Sequence, residues 1–124
     1  MIPTDIKLHQ KSRKLELLFG DGRRFSFSYE FLRVHSPSAE VRGHSPAQAV
    51  LQLDKVSVGI VKVDLVGTYA LKITFDDGHD TGLYSWEYFK ELSDQKNHYW
   101  TIYLEKLERE GHDRDLWLKQ AEFR

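Results

Sequence analysis

Six histidines hold most of the chemistry this chain could perform. His35 and His44 flank a proline-rich segment, and His79 follows an Asp77-Gly78 pair. Imidazole suits borderline metals, so three histidines converging with a carboxylate could hold zinc or iron. The spacing gives little support, because no pair stands at a strong metal-binding interval. His79-Asp80 would put successive side chains on opposite faces of a strand, and the His-x-Asp start of an iron facial triad is missing. The chain has no cysteine, which excludes thiol catalysis, thiolate metal sites and self-held iron–sulfur clusters. Ser36, Ser38 and Ser45 each adjoin a proline, where serine usually makes turn hydrogen bonds. None of them stands in a Gly-x-Ser-x-Gly elbow. A Gly-rich phosphate loop and a His-Glu-x-x-His pair are also missing. Asp76, Asp77 and Asp80 could attract a cation, but one ordinary turn accounts for them as well.

The elements that must position these groups are legible as a duplication. Leu15, Leu17 and Phe19 alternate, Asp21-Gly22 follows, and then come Phe25, Phe27 and Ser28-Tyr29-Glu30-Phe31-Leu32. Leu71, Ile73 and Phe75 repeat the pattern with Asp77-Gly78, Thr81, Leu83 and Ser85-Trp86-Glu87-Tyr88-Phe89. Each copy predicts a strand, a type I′ Asp-Gly turn, a second strand and a serine-capped helix. Ile6 and Leu8 suggest an earlier strand. Val56, Val58 and Ile60 alternate and then slip phase to Val61, Val63 and Leu65, which predicts a β-bulge beside Gly59. Residues 35–55 read as an ordered loop between two halves of one sheet, and a loop of that length in a small domain is often functional. Trp100, Tyr103, Leu104 and Leu107 share one face of a helix that Ser93, Asp94 or Asn97 could cap and Gly111 end. Asp113 could cap a last helix with Leu116, Trp117 and Leu118. The expected fold is α+β: a mainly antiparallel sheet built from two hairpin-helix units, with C-terminal helices packed on one side.

A chain of 124 residues fits a single domain over 1–124 and needs no disulfide or metal to fold. Its formal net charge is −1, which suits no nucleic-acid backbone despite Lys11, Arg13, Lys14, Arg23 and Arg24. No apolar run nears membrane-spanning length, so the expectation is a cytoplasmic protein without a membrane partner. The aromatic run Tyr84, Trp86, Tyr88, Phe89, Tyr99, Trp100 and Tyr103 has core-facing spacing rather than that of a base-stacking platform. Some of it could serve a protein interface or homodimer.

Phe31-Leu32-Arg33-Val34-His35-Ser36-Pro37-Ser38 and Phe75-Asp76-Asp77-Gly78-His79 resemble the N-terminal domain of gamma-butyrobetaine hydroxylase and the small bacterial proteins built from that domain alone. The bacterial group is the nearer match, through Ser36-Pro37-Ser38-Ala39-Glu40-Val41-Arg42-Gly43-His44 and Val66-Gly67-Thr68-Tyr69-Ala70-Leu71, and through the string from Asp76 to Trp86. The resemblance covers about residues 4–108, leaving 109–124 as a helical tail. It implies no oxygenase activity, because the hydroxylase keeps its iron and 2-oxoglutarate site in a separate domain. It also implies where a zinc site would lie. The hydroxylase domain holds zinc through one histidine and an Arg-x-x-Cys-x-Cys-x-x-Cys string. Ser36, Ser38 and Val41 stand at the cysteine positions here, and only His79 matches a ligand. The segment from Ser36 to Val41 should therefore lie against the hairpin tip at His79. Similar domains are joined to iron–sulfur carrier proteins in plants, which implies an accessory role near such proteins.

The leading expectation is a non-catalytic module that docks a protein partner. Its interaction surface would include Arg33, His35, Ser36, Ser38, Arg42, His44 and His79. One rival is a metal protein binding iron or zinc through His79 with His35 or His44. The other is a small enzyme with an unrecognised site.

Overall fold

The structure, a computed structural model, describes residues 2–43 and 48–114. Among them are six strands and four helices in an α+β arrangement. Strands β1 (Asp5–His9), β2 (Lys14–Leu18) and β3 (Arg24–Ser28) form one antiparallel sheet in that order. Helix α1 (Tyr29–Val34) follows at once, and a short α2 (Ala39–Arg42) lies in the following loop. Strands β4 (Ile60–Val66), β5 (Ala70–Phe75) and β6 (Leu83–Ser85) form a second antiparallel sheet, again in chain order. Helices α3 (Trp86–Asp94) and α4 (Lys96–Arg109) complete the described chain. The strands thus divide between two sheets, where the sequence pattern suggested one.

The duplication is real in three dimensions. Leu15 faces Phe27 and Leu17 faces Phe25 across β2 and β3, while Leu71 faces Tyr84 across β5 and β6. Both hairpin turns depart from the expected type I′ form in the same way. Gly22 N–H donates to Phe19 O and Gly78 N–H to Phe75 O, with positive φ at the glycine and not at the preceding aspartate. Gly20-Asp21 and Asp76-Asp77 are the turn centres, and the following glycine takes the left-handed position that closes a three-residue hairpin. Ser28 Oγ then accepts from Phe31 N–H and Ser85 Oγ from Tyr88 N–H, capping α1 and α3 alike. Alternating residues on one face of each sheet join α1 and α3 in one core that includes Leu15, Phe27, Phe31, Ile73, Tyr84 and Phe89.

The predicted bulge is present, and other expectations are corrected. The bulge falls between Ile60 and Lys62, beside Gly59 as its phase slip implied. Val56 and Val58, however, precede the strand, in a turn where Val58 N–H bonds Lys55 O. Helix α4 begins at Lys96 directly after α3, with Gln95 at its N-cap and no side-chain cap from Ser93, Asp94 or Asn97. Leu104 is exposed, whereas Tyr103 and Leu107 are buried against Val34. The helix expected at Leu116 to Leu118 lies outside the described residues. Among those described, no helix is long and apolar enough to cross a membrane.

Candidate functional site

The second hairpin differs from the first on its return. Phe75 N–H bonds His79 O to close the turn, but the ladder resumes only at Leu83, opposite Lys72. Residues 79–82 leave the sheet in between and run beneath the segment that follows α1. His79 Nε2 lies 2.7 Å from Ser36 Oγ and 3.5 Å from Ser38 Oγ, and its Nδ1 lies 3.6 Å from Glu40 Oε2. Ser38 N–H also donates to Ser36 Oγ. A side chain at Gly82 would collide with Ser36 Oγ, so glycine is what allows the two segments this close. The stretch from Ser36 to Val41 thus meets the hairpin tip at His79.

Beside this cluster, Arg33 is buried with its Nε 2.9 Å from Asp77 Oδ2 and its Nη1 3.0 Å from Gln52 Oε1. Lys55 Nζ approaches the same Asp77 oxygen to 2.6 Å, and His79 N–H donates to Oδ1. Burial acts to raise the Asp77 carboxyl, but Lys55, the His79 amide and Arg33 outweigh it and hold the pKa down to about 2. His79 is pushed below 6.5, first by burial and then by the Arg33 cation, against the opposing pull of Glu40 and Asp77. Among the described residues, no buried side-chain nitrogen or oxygen lacks a hydrogen-bond partner.

Ser36, His79 and Glu40 line up in the order of a nucleophile, a base and an orienting acid. Catalysis would need a carbonyl to reach Ser36 Oγ beside oxyanion donors. Ser36 is only 1% exposed, and its oxygen is packed against Gly82 and bonded by Ser38 N–H. The arrangement works as a clasp that joins the two repeated units.

Of the residues expected to be on an interaction surface, Arg33, Ser36, Ser38 and His79 are buried, His35 is half-buried and Arg42 is exposed. His44 lies outside the described residues. His35 is held apart from His79. Its Nδ1 meets Phe31 O at 2.8 Å and its ring packs against Phe31 and Tyr99. Burial lowers its pKa, with Lys106 adding to the shift and the Phe31 carbonyl opposing it. No group of three or more His, Asp or Glu side chains among the described residues is placed to hold a metal ion.

His35 instead borders a groove of about 680 Å³. Val34, Val41 and Leu51 lie on one side, and Tyr99, Ile102 and Lys106 of α4 on the other. Arg42, stacked 4.6 Å over the Tyr88 ring, and Arg109 add positive charge at its margin. Tyr88 Oη donates to His35 O, which fixes the groove wall. Glu30 of α1, a buried carboxylate, helps tie α4 to this wall: it accepts from Tyr103 Oη at 2.9 Å and from Arg114 at 2.8 and 2.6 Å. Neither that cluster nor the groove has a local sequence signal, since its members are up to 84 residues apart.

The model of the gamma-butyrobetaine hydroxylase-like, N-terminal family matches residues 6–90. The chain belongs to this family. Two solution structures are similar to it. One is 49% identical, with a TM-score of 0.77 and coverage of 91% of this chain and 89% of that one. The other is 46% identical, with a TM-score of 0.78 and coverage of 91% and 84%. A crystal structure of a protein of unknown function from Acidithiobacillus ferrooxidans, of the DUF971 family, is 36% identical with a TM-score of 0.60, covering 73% of this chain and 91% of that one. No curated protein matches the chain. The zinc set that the resemblance implied does not fit these family positions here. Two neutral hydroxyls and the buried Val41 stand in place of three thiolates, and the hydroxyls are already bonded to His79.

Proposed function

We propose that this member of the gamma-butyrobetaine hydroxylase-like N-terminal family is a non-catalytic module that docks a protein partner in the groove between the α1–α2 segment and α4. The observation that carries the reading is the contrast between clasp and groove. The groups with catalytic potential, Ser36 and His79, are buried and mutually bonded. The groove beside them is open, with apolar walls and the exposed cations Arg42, Lys106 and Arg109. An apolar floor with a charged rim is the usual anatomy of a protein interface. The cations outnumber Glu91 and Glu110 on the same walls, so an acidic segment with apolar anchors suits the groove best.

Affinity capture from native extract, with the full chain and its Lys106→Glu/Arg109→Glu variant as baits, tests this. A partner retained by the first and lost from the second, and displaced by salt, is the expected result. Identical recovery on both baits would remove the groove from the interaction.

A further inference from the structure

Among the described residues, strand β4 has a partner on one side only. Its sheet runs β4-β5-β6, so β4 is an edge. Unpaired edges usually carry devices that discourage a second chain from adding to them, and a lone lysine is a common one. Here the edge residues are Val61, Lys62, Val63, Asp64 and Leu65. Val61 is 62% exposed and Leu65 58%, unusual openness for large apolar side chains on an edge strand. Gln10 Nε2 covers the carbonyl of Ile60 and the bulge occupies Val61, so the regular edge runs from Lys62 to Val66.

Within this edge, Lys62, Val63 and Asp64 are self-complementary when read backwards. In an antiparallel pairing centred on Val63, Lys62 of one copy faces Asp64 of the other, twice, and the exposed Val61 of the bulge comes near the other copy's Leu65. Val63 and Leu65 share one face, and the bulge takes Val61 out of that alternation. Val63 pairs with Ile73 and Leu65 with Leu71, both buried inward residues. Lys62 and Asp64 share the opposite face, where their charges lie 3.6 Å apart within the strand. Sliding the register by two residues either way would set Lys62 against Lys62 or Asp64 against Asp64. The charges therefore select one register, and a two-fold interface requires this kind of self-matching.

We infer that β4 is a self-association edge at which a second copy of this chain pairs antiparallel about Val63, joining the two β4-β5-β6 sheets into one six-stranded sheet. A single strand pair buries less area than a standard interface of about 1,600 Å², so the dimer is weak and forms with rising concentration.

Sedimentation equilibrium of the full chain up to about 1 mM, a concentration at which weak association is measurable, tests the inference. The wild-type chain should show reversible monomer–dimer exchange. Asp64→Lys and Lys62→Asp each create two like-charge pairs and should each weaken dimerisation by about tenfold or more. Both positions are well exposed, with side chains 64% and 52% accessible for Lys62 and Asp64, so the fold should persist, as circular dichroism would check. An equimolar mixture of the two variants restores both opposite-charge pairs and should recover a one-to-one dimer. A wild-type chain that stays monomeric throughout would overturn the inference. So would variants that dimerise as well as wild type, or a mixture that does not recover. The groove lies elsewhere, and the Lys106→Glu/Arg109→Glu chain should dimerise normally.

Discussion

His79 meets Ser36, Ser38 and Glu40 at once, and its protonation state decides whether that arrangement holds. With the ring proton on Nδ1 toward Glu40, Nε2 is free to accept the Ser36 hydroxyl 2.7 Å away. Burial and Arg33 lower the folded pKa below 6.5, so the unfolded chain binds this proton more readily than the folded one. The stability that follows is complete above about pH 6.5 and drains away as pH falls through the lower folded value. His35 shifts in the same direction. Urea midpoints taken from pH 8 down to pH 5 should fall for the wild-type chain and fall less steeply for His79→Gln. Parallel curves would mean that His79 titrates alike in both states. The same contact makes a steric prediction. Gly82→Ala drives a methyl into Ser36 Oγ and should cost about 1–3 kcal/mol, the usual penalty of overpacking. The loss should be smaller in a Ser36→Gly background, as a double-mutant cycle in urea would read out.

At the level of elements, local patterns were legible and partner choice was not. The alternation at Leu15 and Leu17 and at Leu71 and Ile73, and the paired Ser28 and Ser85, are short-range signals, and the strands and caps follow them. The division into two sheets is a matter of which strands neighbour each other, and residue period does not encode that. The Arg33–Asp77 pair spans 44 residues, so no local spacing announces it. The α3–α4 junction shows competition instead: Ser93 and Asp94 are good caps, but α3 extends through both before the chain bends at Gln95. The two serine caps offer a test of the duplication. Ser28→Ala and Ser85→Ala should each lower stability by about 1 kcal/mol, since each loses the same bond to the amide three residues on. Thermal melts giving equal losses would fit equivalent roles, and a negligible loss at either site would break the equivalence.

Across the whole molecule, the two units are locked together by contacts from the first unit's exit to the second unit's hairpin and helix. Arg33 reaches Asp77, Ser36 reaches His79, Tyr84 Oη donates to Leu32 O and Tyr88 Oη to His35 O. The family resemblance assigns this junction to zinc, and here a serine–histidine clasp occupies it. If the clasp keeps the backbone geometry of a metal site, only the donors are missing. Ser36→Cys/Ser38→Cys/Val41→Cys would supply three thiolates beside an imidazole, the donor set of a closed structural zinc site. Zinc binding would then stabilise the folded chain by mass action. The triple variant should bind about one zinc per chain under reducing conditions and melt several degrees higher with zinc than without, and adding His79→Ala should abolish the gain. A folded triple variant that ignores zinc would show that the clasp holds these segments in a geometry of its own, and that the junction's role in this chain is hydrogen-bonded attachment of one unit to the other.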